Sequence, residues 1–300
     1  MRPGVLRTVA ALEAALATPS ARLIADLRRI EGDLLVLGAG GKLGPSLAML
    51  ARHALDAAGK TEEVIAVSRF GDAATRRRLD DAGVRTIGAD LMNDAELHAL
   101  PDAANVVYLV TMKFGTSGRE HLTWATNTYL PGRVAERYRD ARIVAFSSGN
   151  VYPLVPLAST GATEDQPIEA VGEYGQSVLG RERILAFNSH RYGTQVAILR
   201  LNYAIDLRYG VLVDIATAVR DGEPIDLRMG HVNVVWQGYA NEVALRSLHH
   251  ASSPPTVINL TGPEIVSVRR VAGWFGERLG REPVLVGEEQ QSALLNDAAR

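Results

Sequence analysis

Gly38, Gly41 and Gly44 stand three apart, directly after the apolar run Leu34-Leu35-Val36-Leu37 and before a helical pattern through Leu47, Leu50 and Ala51. The chemistry this order fits is pyrophosphate binding. The first glycine permits a tight turn, the second lets backbone approach the phosphates, and the third lets helix pack closely on strand. Lys42 and Leu43 lie inside the turn, and the N-terminus of the following helix presents unpaired amides to anionic oxygens. A second phosphate-directed feature is Ser68-Arg69, after the run Val64-Ile65-Ala66-Val67. An NAD site places a carboxylate there for the ribose hydroxyls. A guanidinium pairs instead with a 2′-phosphate, so the residues favour NADP over NAD. Stacking of Arg69 on adenine, which either cofactor allows, remains open.

Other chemistries find little support. The 300-residue chain has no cysteine, which removes disulfides, thiolate metal sites and cysteine nucleophiles. Asp206, Asp214 and Asp226 have no metal-ligand spacing, so no metal is expected. A net charge of −2 and a pI near 6.4 give no pull towards nucleic acid or an anionic membrane. Arg76-Arg77-Arg78 is flanked by Asp72, Asp80 and Asp81 and reads as a solvated helix face. No apolar run approaches the roughly 18 residues of a membrane span. Residues 5–17 are apolar but interrupted by Glu13 and lack a secretory pattern, so a cytoplasmic location is expected.

Positioning these groups requires an alternating architecture. Strands are expected at 34–38, 63–68, 84–87, 105–111, 142–148, 195–201 and 257–260, with helices near 42–58, 72–82, 93–99, 119–140, 174–191, 211–221, 238–251 and 267–279. Such alternation predicts an α/β fold, a Rossmann-like doubly wound parallel sheet whose ligands bind beyond the carboxyl ends of the strands. Residues 1–32 are expected to form a helical extension, with helices over 5–17 and 20–30 broken at Thr18-Pro19-Ser20, where Ser20 caps the second. Residues 33–201 make the dinucleotide-binding unit, rejoined by about 236–262, and 202–300 make mainly a substrate lobe.

Several spaced elements together resemble the extended short-chain dehydrogenase/reductase family, which includes sugar epimerases and dehydratases. The glycine turn has that family's spacing. Asp90-Leu91 is similar to its acidic-apolar pair near adenine, and Val106 to Lys113 to its fourth-strand segment, in which Val110 and Lys113 would meet the cofactor. Asn127 falls at the family's usual asparagine. Phe146-Ser147-Ser148-Gly149-Asn150-Val151-Tyr152 resembles its serine segment, and Tyr174-Gly175-Gln176-Ser177-Val178 its tyrosine segment, with Val178 where the family keeps lysine. Leu199-Arg200-Leu201-Asn202 and Asn259 to Glu264 resemble later elements, so the match covers about residues 34–280.

The resemblance implies an NAD(P)-dependent oxidoreductase or epimerase acting on a hydroxyl. Ser148 would bind the reacting oxygen and Tyr174 would move its proton, with Gly149, Asn150, Asn202 and His231 near the substrate. A tyrosine with a pKa near 10 needs a cation to act near pH 7. Without the lysine, three readings stand open: Arg181 or Lys113 supplies the charge, the oxidised nicotinamide suffices, or the protein binds cofactor without turnover. Nucleotide-sugar members place arginine and aspartate where His231 and Gly238 stand, so a free sugar or sugar acid is the expected substrate. Pairing through the helices around Asn127 and after Tyr174 predicts a homodimer. The stretch from Ala293 to Ala298 resembles an element normally followed by more chain.

Overall fold

The computed structural model describes residues 5–299. Residues 1–4 and Arg300, the outer ends of the expected extension and lobe, lie outside the described residues. Seven strands build the central sheet: β1 (Leu34–Leu37), β2 (Val64–Ser68), β3 (Arg85–Gly88), β4 (Asn105–Tyr108), β5 (Arg142–Ser148), β6 (Gln195–Leu201) and β7 (Thr256–Leu260). All neighbours are parallel, in the order β7-β6-β5-β4-β1-β2-β3. The order reverses between β1 and β4, which pair Leu37 with Tyr108 at their carboxyl ends. A crevice opens at such a reversal because the flanking connections leave on opposite faces.

Parallel strands covered on both faces read as continuous apolar runs. In β1, Leu34 and Val36 join one core with Leu47 and Leu50, and Leu35 and Leu37 join the opposite core with Leu130 and Val134. Among the described residues the helices run α1 (Val9–Leu16), α2 (Ala21–Leu27), α3 (Gly44–Ala57), α4 (Ala73–Asp81), α5 (Asp94–His98), α6 (Glu120–Trp124), α7 (Leu130–Arg137), α8 (Gly172–Tyr192) and α9 (Val211–Asp221). Two more follow, α10 (Gln237–Arg246) and α11 (Val268–Leu279). Thr8 and Ser20 accept hydrogen bonds from Ala11 N and Leu23 N, capping α1 and α2. Leu16, Leu23 and Leu27 are buried, which docks α1 and α2 on α3 and α10.

Two expectations need correction. The fourth strand is expected over 105–111 but ends at Tyr108: Leu109 N makes the last bond to β1, at Leu37 O, and Leu109 to Thr111 wall the crevice. The single helix expected over 119–140 is α6 and α7 joined by a π turn, Ala125–Tyr129. Pro131 explains part of that break: lacking an N–H, it cannot donate to the carbonyl of Asn127, four residues earlier.

Candidate active site at the sheet reversal

The glycine turn is held by contacts that only glycine allows. Gly38 has a φ of +89°, and a Cβ there would lie 3.0 Å from Val110 N on the neighbouring strand's exit. At Gly44 a Cβ would lie 2.5 Å from Ala39 Cα and O, so α3 packs directly on the turn. A Cβ at Gly41 would meet only Gly38 O, at 3.4 Å. That glycine's bare face therefore looks away from protein, as approach of a ligand to backbone requires.

Two cavities meet at this turn. One, of about 750 Å³, runs from Gly38 and Gly41 past Ser68 and Arg69 to Asp90, Leu91 and Val110. Its far end also holds Phe70, whose φ of 44° is unusual for a non-glycine residue. The other, of about 410 Å³, takes in Lys42, Leu43, Gly44 and Lys113 and ends at Ser148, Tyr174 and Arg181. Gly38, Gly41, Leu109 and Thr111 belong to both walls. Lys42, Lys60 and Lys113 are the chain's only lysines, and two of them face the second cavity.

At the closed end, the Lys113 ammonium lies 5.4 Å from the Tyr174 ring centre and 5.7 Å from that of Tyr203. Arg181, two turns beyond Tyr174 on α8, is buried and its donors go to three main-chain carbonyls and to the Asn127 Oδ1, the last at 3.2 Å. Nε donates to Asn127 O at 3.2 Å, the carbonyl that Pro131 leaves free, Nη1 to Phe146 O at 2.5 Å, and Nη2 to Val110 O at 2.9 Å. Ser148 Oγ donates to Asn150 Oδ1 at 2.9 Å and accepts from Asn150 N at 3.2 Å. Asn127 is buried off both walls. Its Oδ1 accepts from Met112 N at 2.8 Å and its Nδ2 donates to Ser177 Oγ at 3.0 Å, tying the exit of β4 to α8.

Gly149, Asn150, Asn202 and His231 do not line either cavity. Asn150 instead fixes the Ser148 hydroxyl. Gly149 faces the Asn296 amide, 2.8 Å from where a Cβ would stand. Asn202 Nδ2 donates to Leu294 O at 3.2 Å, and His231 is in a short bridge with Ser267. Tyr203 and Tyr209 line the second cavity and were not anticipated. Burial raises the pKa of both phenols, and two tyrosines in the loop directly after β6 were the available signal. Val178 is fully buried, in an apolar cluster with Val151, Val155, Ala293 and Leu295.

Residues 34–205 match the model of the NAD dependent epimerase/dehydratase family. The chain belongs to that family. No curated protein matches its sequence. Among solved structures, MoeE5 in complex with UDP-glucose and NAD is 20% identical, with 89% of this chain and 87% of that chain covered and a TM-score of 0.69. A UDP-glucose 4-epimerase from Thermotoga maritima is 16% identical (89% and 90% covered, TM-score 0.72). DesIV, a dTDP-glucose 4,6-dehydratase from Streptomyces venezuelae with NAD bound, is 20% identical (88% and 87%, TM-score 0.73). At these identities the likeness is one of fold.

Epimerase/dehydratase membership implies a nicotinamide dinucleotide, and the residues present fit one. Gly38 and Gly44 make a turn with no room for side chains, and the cavities joined there give an elongated path between strand ends. Among the described residues no group of three His, Cys, Asp or Glu side chains is placed to hold a metal. No helix among them is long and apolar enough to cross a membrane.

Proposed function

We propose that this epimerase/dehydratase family member is an NAD(P)-dependent oxidoreductase or epimerase acting on a hydroxyl of a sugar-like substrate. The observation that carries the reading is the continuity of the two cavities through Gly38 and Gly41, with Arg69 at one end and Ser148 and Tyr174 at the other. The glycine turn and the α3 N-terminus would hold the pyrophosphate, Asp90 and Leu91 the adenine end, and Lys113 the nicotinamide end. When bound, the nicotinamide supplies hydride chemistry. Tyr174 then moves the proton of the reacting hydroxyl, and Ser148, oriented by Asn150, holds that oxygen. Lys113 is the cation beside Tyr174, its ammonium 5.4 Å from the ring centre. Arg181 adds a fixed positive charge and braces the walls, since its own hydrogens are committed to carbonyls.

NADP is the cofactor this reading favours, because Arg69 is exposed on the cavity wall where an NAD site would carry an acid. A free sugar or sugar acid fits positions 231 and 238 better than a nucleotide-sugar. A homodimer through the α6–α7 and α8 faces is supported by Trp124, Tyr129 and Phe187, which are 37%, 58% and 53% exposed. The second reading, binding without turnover, draws on Val178, whose apolar surroundings leave no place for the family lysine. Calorimetric titration with NAD⁺ and NADP⁺, followed by a sugar and sugar-acid panel read by nicotinamide absorbance and by product chromatography, separates the two. Cofactor binding with no conversion across the panel would favour the second reading; conversion that survives in Tyr174→Phe would remove the proposed base.

A further inference from the structure

A third cavity, of about 260 Å³, lies between α3 and α4 behind the glycine turn and carries Lys42, Arg78 and Arg208 on its wall with one carboxylate, Glu13. Arg78 Nη1 and Arg208 Nη1 donate to the same oxygen of Glu13, at 2.5 and 3.1 Å. Arg208 is fixed from behind by Asp206, whose side chain is fully buried and accepts at 2.7 Å. Arg78 Nε is buried with no hydrogen-bond partner, and the Lys42 ammonium rests 4.4 Å over the Tyr209 ring. Two guanidiniums thus converge on one exchangeable carboxylate, with the Lys42 ammonium on the same wall. That carboxylate comes from α1, ahead of the first strand, and the dinucleotide-binding fold itself does not require it. The cavity shares Gly40, Gly41 and Thr75 with the larger cavity that holds Arg69. The shared residues place these cations at the margin of the larger cavity.

The geometry points to a seat for the ribose 2′-phosphate of NADP that Glu13 holds closed from within. This rests on the dinucleotide reading above and adds a specificity residue to it. A 2′-phosphate must displace the Glu13 carboxylate from Arg78 and Arg208, so Glu13 sets the balance between NADP and NAD. Glu13→Gln keeps the shape, removes the competing charge, and leaves the buried Leu12 and Leu16 that dock α1 untouched.

The experiment is calorimetric titration of wild type, Glu13→Gln, and Glu13→Gln/Arg78→Gln with NADP⁺, NAD⁺, 2′,5′-ADP and 5′-ADP. Glu13→Gln is expected to tighten NADP⁺ and 2′,5′-ADP about tenfold, the scale of one charge-assisted pair, with NAD⁺ and 5′-ADP within about twofold. Adding Arg78→Gln is expected to reverse that gain while NAD⁺ binding, which also reports an intact fold, persists. Equal shifts for all four ligands, or no shift, overturn the seat and leave the dinucleotide reading standing. Failure of wild type and both variants to bind any of the four overturns that reading and the seat with it.

Discussion

Tyr174 has two cations within its surroundings, and they are not equivalent. Arg181 reads from the sequence as one candidate replacement for the missing lysine, two helical turns away on one face, and Lys113 as another. In the structure its guanidinium is spent on the carbonyls of Asn127, Phe146 and Val110. Lys113 arrives from the strand exit and has no acidic partner among the described ion pairs, with its ammonium over the Tyr174 ring. Lys113→Met is therefore expected to lower turnover about tenfold, the scale of one lost charge contact. An unchanged rate would show that Lys113 does not serve the Tyr174 site. Tyr174→Phe is expected to cost a factor of about 100 or more in turnover with cofactor affinity retained. Val178→Lys tests the departure itself: it puts an ammonium among Val151, Val155 and Leu295, so a loss of about 3 kcal/mol in urea denaturation is expected. Ser148, Tyr174 and Lys113 were legible because motif spacing reports side chains. The partners of Arg181 were not, because three are backbone carbonyls placed only by the folded chain and the fourth is the Asn127 amide oxygen.

The elements that carry these residues differ in how far the sequence disclosed them. β1 and α3 were plain, since an apolar run, a glycine turn and a helical stripe each have a local cause. Gly44→Ala would drive a Cβ into Ala39 backbone, which cannot give way, so a stability loss of about 1–3 kcal/mol with weakened dinucleotide binding is expected by calorimetry. The π turn at Ala125–Tyr129 was not legible, because it depends on Asn127 reaching across to Met112 and Ser177. Nor was the brace between β5, α8 and β6. There, Ser147 Oγ donates to Glu182 at 2.5 Å, Arg200 pairs with Glu182 at 2.7 Å, and Tyr152 links Arg200 to Asn259. Both charged side chains are buried, 4% and 6% exposed. Glu182→Ala leaves the guanidinium buried without a countercharge, its remaining bond going to the Tyr152 hydroxyl, and a loss of about 3–5 kcal/mol is expected. Glu182→Gln, which can still accept from Ser147 and Arg200, should recover part of it; equal losses for both variants would show that the carboxylate charge alone, and not shape or hydrogen bonding, holds the brace.

Across the whole molecule, the basic charge is nearly all arginine, which does not deprotonate in the accessible range, and the lysines are three. Alkaline behaviour therefore falls to the tyrosines. Burial raises the pKa of Tyr108, Tyr152, Tyr203 and Tyr209, and holds Tyr138 up at about 12. In each case the folded protein keeps its phenol proton where the unfolded chain, titrating near pH 10, has lost it. The folded state then binds more protons than the unfolded one, so stability falls as pH rises. The contribution is fully present below about pH 10 and is lost progressively through the folded value, about 12 at Tyr138. Urea midpoints taken from pH 8 upward are expected to be level to about pH 10 and to drop beyond it. Tyr138→Phe removes one titrating group and the bond its hydroxyl donates to Pro101 O at 3.1 Å. That variant should start about 1 kcal/mol less stable at neutral pH, the net worth of one hydrogen bond, and then decline less steeply. Midpoints that stay level to pH 12 in the wild type, or parallel declines in both proteins, would mean that these phenols do not govern the alkaline limit.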